Sequence, residues 1–83
     1  MLYDSNSHIE NAEEVEKFFR HLSSERNLSF HPDDMFESYV SCEGGKTFSL
    51  EECAVYNRLM DECFAVCEKE SKDIYGIWLD VVL

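Results

Sequence analysis

The segment "SLEECAVYNRLMDECFAVCEKES", residues 49–71, decides the fold because it is the longest helical pattern in the chain. Ser49, followed three residues later by Glu52, forms a capping box, a pair that marks the start of a helix. Apolar residues then recur with the helical period, which places them on one face. They are Cys53, Tyr56, Met60, Cys63, Phe64 and Cys67, with Leu59 and Val66 widening the stripe. We predict a long helix over residues 49–70 at the centre of the core.

A second helix is predicted over residues 11–26, "NAEEVEKFFRHLSSER". Asn11 can cap it, with Glu14 three residues later as in a capping box. A start at Ser7, paired with Glu10, is the alternative and would lengthen the helix by one turn. The apolar residues fall at positions i, i+3, i+4 and i+7 of a single stripe. They are Val15, Phe18, Phe19 and Leu22.

A short helix is predicted in "FHPDDMFESYV", residues 30–40. Pro32 suits the first helical position because it has no N–H to leave unpaired, and acids after it face the unpaired N–H groups of the first turn. His31 beside two acids is weak evidence of a metal or catalytic site, since helix initiation accounts for the same residues. The core-facing residues of this helix are Met35, Phe36, Tyr39 and Val40. A glycine turn at residues 44–45 follows, with a short extended piece near residues 46–48.

The C-terminal segment "KDIYGIWLDVVL", residues 72–83, fits two periods. As a helix it has one thin polar line at Asp73, Gly76 and Asp80, whereas as a strand its apolar residues alternate with the others. Short apolar runs often allow both interpretations. We favour a helix because the neighbouring segments are helical and offer little strand for pairing.

These elements predict an all-α fold of three or four helices packed around the helix at 49–70. A chain of 83 residues has room for one domain. Hydrophobic residues make up 45% of it, more than a disordered acidic chain contains. We leave open whether roughly the first eight residues are disordered.

The net charge of −11 arises from 18 acids and 7 bases spread evenly along the chain. Such a surface repels nucleic acid and anionic lipid, so we expect no direct binding to nucleic acid and no association with membranes. A basic protein partner remains compatible with it. The N-terminus lacks a signal-peptide pattern and no run is long enough to span a bilayer. We therefore expect a cytoplasmic protein with reduced cysteines.

The cysteines offer one candidate metal site. Cys63 and Cys67 are spaced i, i+4, which can bring two thiolates to one zinc ion, and Cys53 or Cys42 with His21 could complete four ligands. The preferred interpretation is that these cysteines are small buried hydrophobic residues, since free cysteine is among the most buried residue types. A disulfide framework is disfavoured because two cysteines on successive turns of one helix would each need a partner elsewhere. We predict no metal and no cofactor.

Evidence for catalysis is also weak. Cys42 is expected in a loop, but its neighbour Glu43 would raise the pKa of the thiol and disfavour a nucleophile. The run "GGKT", residues 44–47, lacks the glycine that a phosphate-binding loop requires at position 40, which is Val40. We therefore predict a non-enzymatic protein with no catalytic residues.

Three stretches of the sequence resemble a group of natural proteins: "FHPDDMFESYV", "FSLEECAVYNRLMDECFAVCE" and "DIYGIW". They are similar to small uncharacterised acidic proteins carried on mobile genetic elements of gut anaerobes. The similarity covers residues 30–78. It implies a cytoplasmic accessory protein of a plasmid, phage or transposon, and it implies no functional residues because the group has no known activity.

The leading functional hypothesis is an acidic protein-interaction or accessory module. Its contact surface would be an apolar patch on the C-terminal segment, rimmed by acids, that binds another protein or a second copy of the chain. The candidate interface residues are Ile77, Trp78, Val81 and Val82. One alternative is an acidic decoy that mimics nucleic acid and occupies a nucleic-acid-binding protein. The other is a small metal-binding protein that uses Cys63 and Cys67.

Overall fold

The computed structural model describes residues 3–43 and 48–83, with side chains at all of these positions except 40–43. Within these ranges the chain forms four α-helices: α1 (Ala12–Arg20), α2 (Phe36–Glu43), α3 (Leu50–Lys69) and α4 (Ile74–Val82). A π-helical segment, His21–Glu25, continues α1. The described residues contain no β-strand. The predicted all-α class is confirmed.

Helix α3 is the centre of the fold, as predicted. Its capping box is formed in both directions, because Ser49 Oγ accepts a hydrogen bond from the Glu52 N–H and the Glu52 carboxylate accepts one from the Ser49 N–H. α3 contacts α1, α2 and α4. Tyr56 is fully buried at its middle, with the rings of Phe18, Phe36 and Phe48 edge-on around it. This aromatic cluster joins α1 and α2 to α3.

Helix α1 begins at the predicted cap. The side chain of Asn11 accepts a hydrogen bond from the Glu14 N–H at 2.9 Å, and the Glu14 carboxylate accepts one from the Glu10 N–H at 2.9 Å. The helix then widens into the π-helical segment at His21. There the Arg26 N–H donates a hydrogen bond to the His21 carbonyl, five residues earlier, at 3.0 Å. A wider helical turn of this kind is rare and is enriched at functional sites.

Helix α2 starts four residues later than predicted. Pro32 is buried before the helix, in a turn where the Asp34 N–H donates to the His31 carbonyl at 3.0 Å. The first helical N–H, that of Phe36, donates to Asn57 Oδ1 of α3 at 3.1 Å. The prediction failed because the cap comes from a distant helix. Met35, predicted on the core face, is 59% exposed.

Helix α4 resolves the ambiguity of the C-terminal segment in favour of a helix. Asp73 caps it by accepting the Tyr75 N–H, and the helix packs against α1 and α3. The connection between the π-helical segment and α2 packs against α4, since Trp78 Nε1–H donates to the Phe30 carbonyl at 3.0 Å. Of the predicted extended piece near 46–48, residues 46 and 47 lie outside the described residues. Phe48 is buried and lies outside the helices.

Candidate functional site

Three side chains on the outer side of α4 form an exposed apolar line. Tyr75, Leu79 and Val82 stand at positions i, i+4 and i+7 and are 41%, 44% and 39% exposed. Residues at this spacing lie on one side of a helix. We call these three residues the α4 surface.

The residues predicted as an interface divide between two sides of this helix. Ile77, Trp78 and Val81 are half-buried and pack against the core, whereas Val82 is exposed on the α4 surface. Three of the four predicted residues therefore lie on the side of α4 that faces the core, and one lies on the α4 surface. The sequence alone could not show which side of α4 would be exposed, because apolar residues cover most of the helix.

The α4 surface meets a small acidic cavity at its N-terminal end. The Tyr75 hydroxyl donates to Asp33 Oδ1 at 2.7 Å, and this hydrogen bond raises the pKa of Tyr75. The Tyr75 ring lies 6.3 Å from the ring of Phe64, which lines a cavity of about 230 Å³. The exposed Met35 lines the same cavity. The apolar surface thus extends from α4 to the turn before α2.

A second cavity, of about 310 Å³, lies at the C-terminal end of the α4 surface. Val82 and Trp78 line it from α4, and Leu28 and Phe30 line it from the connection that precedes α2. The hydrogen bond from Trp78 to the Phe30 carbonyl fixes the indole at its edge. An apolar line with a recess at each end is suited to a partner that inserts one anchoring side chain into each recess.

The charges around the first cavity are all negative. Its described lining includes Asp33, Asp34 and Asp61 and no lysine or arginine. Four bases elsewhere are already paired with acids. These pairs are Lys17–Glu13, Arg20–Glu16, Arg26–Glu52 and Arg58–Glu62. The three carboxylates of this cavity therefore have no lysine or arginine among the residues that line it with them.

The candidate zinc ligands lie in the core. Cys63 is fully buried and Cys67 is 3% exposed, and burial raises the pKa of both thiols. Within residues 3–39 and 48–83, no group of three histidine, cysteine or acidic side chains is arranged to hold a metal ion. The backbone of Cys42 lies in α2 and not in a loop as predicted, whereas its side chain and the run at residues 44–47 lie outside the described residues.

A polar array that the sequence did not reveal surrounds His21. His21 is 6% exposed; its Nδ1 lies 2.9 Å from the Glu25 carboxylate, and its Nε2 lies 2.8 Å from the Tyr56 hydroxyl. Burial is the main cause that raises the pKa of Tyr56 to about 12. The i, i+4 spacing of His21 and Glu25 was the only signal in the sequence, and the contact with Tyr56 spans 35 residues. Both imidazole nitrogens are engaged inside the protein.

The chain matches no protein-family model, no curated protein and no solved structure. None of the helices in the described ranges is both long and apolar enough to cross a membrane. The functional argument therefore rests on the geometry and charge of the chain itself.

Proposed function

We propose that this chain is a non-enzymatic protein-interaction module that binds a basic, amphipathic helix of another protein on the α4 surface. The exposed apolar line at Tyr75, Leu79 and Val82 supports this most strongly. An amphipathic helix lays one apolar face into such a surface through anchors at i, i+3 or i+4, and i+7. Because a helix rises 1.5 Å per residue, Tyr75 and Val82 stand about 10.5 Å apart along α4, two turns of a partner helix.

The acids beside the apolar line favour a basic partner over a second copy. Asp33, Asp34 and Asp61 surround the recess next to Tyr75. Lysine or arginine side chains that flank an apolar helix face would meet these carboxylates, and opposite charge also speeds the encounter. A second copy would bring the same charge of −11 and would be repelled.

A binding role agrees with the chemistry of the polar core groups. The imidazole nitrogens of His21 are occupied by internal partners, and the thiols of Cys53, Cys63 and Cys67 are buried with raised pKa values. A nucleophilic thiol instead requires a depressed pKa and access to substrate. We place the protein in a reducing cytoplasm, where free thiols persist.

A matched pair of leucine variants tests the proposal. The probe is a fluorescent helical peptide of leucine and lysine with one apolar face, and its counterpart carries glutamate in place of lysine. Leu79→Ser removes an apolar contact from the α4 surface, whereas Leu50→Ser removes a leucine that is 72% exposed at the start of α3. Loss of one buried leucine contact should weaken binding of the lysine peptide about tenfold.

We expect fluorescence anisotropy to show this loss for Leu79→Ser only, and no binding of the glutamate peptide. Equal effects of the two serine variants would contradict the proposal. The acidic decoy hypothesis makes the opposite prediction, because charge alone would then hold the partner. Leu79→Ser would leave the affinity unchanged, and binding would disappear at high salt. Formation of a dimer in sedimentation equilibrium, lost in Leu79→Ser, would assign the surface to a second copy instead.

A further inference from the structure

A groove of about 580 Å³ lies beside α1, apart from the α4 surface. One wall is a face of α1 and the π-helical segment, which includes Glu14, Lys17 and His21, and the other wall is the N-terminal segment with Tyr3 and His8. The two surfaces share no lining residue. Its volume falls in the range of pockets that hold small molecules.

The floor of the groove is aromatic and fixed in place. The Tyr3 ring packs edge-on against His21 at 4.9 Å and against Phe18 at 5.1 Å between ring centroids. The hydrogen bonds of His21 to Glu25 and Tyr56 hold the imidazole from both sides. A rigid aromatic floor offers a ring-bearing ligand a surface on which to stack.

The N-terminal wall is attached to α3 by several hydrogen bonds. The Arg58 guanidinium donates to the backbone carbonyls of Asp4 and Ser5, and Glu62 accepts the Ile9 N–H at 2.8 Å. The groove therefore exists before any ligand arrives, which reduces the entropy lost on binding.

The electrostatics of the groove favour a cation. Lys17 and Arg20 line it, but each lies within ion-pair distance of an acid on its own helix, Glu13 and Glu16 respectively. The acids that line the groove differ from these bases: within the described residues neither Glu14 nor Glu25 has an ion pair to lysine or arginine.

The two acids also act on the aromatic floor. Burial is the main cause of the raised pKa of Tyr3, and the charges of Cys63, Glu14 and Glu25 raise it further. Glu25 contacts His21 through Oε2, and its side chain is 62% exposed, so it remains accessible to a ligand.

We infer that this groove binds a small organic cation that carries an aromatic ring. The ring stacks on Tyr3, and the ammonium group pairs with Glu25 beside it. Cations are also attracted to the face of a tyrosine ring, which adds to the same preference. The site is independent of the proposed partner surface on α4.

Phenethylammonium, a primary ammonium two carbons from a phenyl ring, is the probe. Its control is 3-phenylpropionate, which keeps the ring and reverses the charge. Titration is followed by ¹H–¹⁵N NMR of the full chain, up to about 10 mM ligand to cover weak binding. We expect saturable shifts at Tyr3, His21 and Ser24 with the cation only.

Substitutions locate the charge and the ring contact. Glu25→Gln keeps a hydrogen-bond acceptor for His21. It should lower the affinity for the cation about fivefold, as expected for the loss of one partly exposed ion pair. Glu68→Gln removes an exposed acid of α3 that neither lines the groove nor pairs with a base that lines it, and it should leave the affinity unchanged. Tyr3→Leu, which leaves the His21 array in place, should reduce the affinity as well.

The inference is overturned if no saturable shifts occur, if 3-phenylpropionate binds as tightly as the cation, or if Glu68→Gln weakens binding as much as Glu25→Gln. Retention of full affinity by Tyr3→Leu would also contradict it. A melting curve for each variant confirms that the compared proteins are folded.

Discussion

The Glu62 carboxylate is one of the groups that attach the N-terminal segment to α3, and Glu62→Gln is the perturbation that tests its contribution. Glu62 accepts hydrogen bonds from the Ile9 N–H at 2.8 Å and from Arg58 at 2.6 Å, and it lies 3.3 Å from His8 Nδ1. Glutamine has nearly the same shape but no charge. The variant therefore removes the charge while preserving one acceptor oxygen for Ile9.

The expected loss is modest. A hydrogen bond to a charged group contributes about 1.5–3 kcal/mol to stability when it is well shielded. The Glu62 side chain is 26% exposed, so solvent screens part of this contribution. We expect Glu62→Gln to lower the free energy of unfolding by about 1 kcal/mol, which corresponds to a melting temperature lower by about 4–8 °C in a domain of this size.

The pH dependence follows from the pKa of Glu62. Burial alone would raise it, but hydrogen bonds from Ile9, Arg58 and His8 outweigh burial and hold it below its usual 4.5. A carboxyl with a depressed folded-state pKa contributes its stability above the unfolded value, and that stability is lost as the pH falls through the folded value. The difference between wild type and variant should therefore be present at neutral pH and shrink below 4.5.

Urea unfolding followed by circular dichroism at neutral and acidic pH measures both effects. Glu68→Gln is the matched control, because Glu68 is an exposed acid of the same helix. If Glu68→Gln costs as much as Glu62→Gln, or if the cost of Glu62→Gln is the same at both pH values, the reasoning about this attachment is wrong.

Two substitutions and one measurement of thiol reactivity test the core and the helix start. Tyr56→Phe leaves the Nε2 of buried His21 without its partner and should cost about 1–2 kcal/mol in urea unfolding, whereas a cost near zero would contradict the array. The thiol of Cys63 should react with a disulfide reagent only on unfolding, because burial raises its pKa, and stoichiometric zinc in reduced protein would refute the core interpretation of this cysteine. Asn57→Ala removes the acceptor for the Phe36 N–H and should cost about 1 kcal/mol and speed amide exchange at the start of α2.

The sequence predicted best what local interactions determine. The capping box at Ser49 and Glu52 lies within four residues, so the start of α3 could be identified from the chain alone. The start of α2 could not, because its first N–H is capped by Asn57, which lies 21 residues away. Local cues at Pro32 were real, but they belong to a turn rather than to a helix.

The candidate site shows the same limit. The apolar character of the C-terminal segment led to the hypothesis of an interface on this helix, but tertiary packing decides which side of α4 is covered. The connection before α2 packs against Trp78, which leaves Leu79 and Tyr75 towards solvent. The array of His21 and Tyr56 joins two helices and has no local signature.

The central claim is that a basic amphipathic helix binds on the α4 surface, and NMR mapping of the bound leucine–lysine peptide tests it most directly. We predict that the largest amide and methyl shifts cluster at Tyr75, Leu79 and Val82 and extend to Met35. Shifts spread over the acidic residues of α1 and α3, with α4 unchanged, would contradict the claim and show that charge alone holds the peptide.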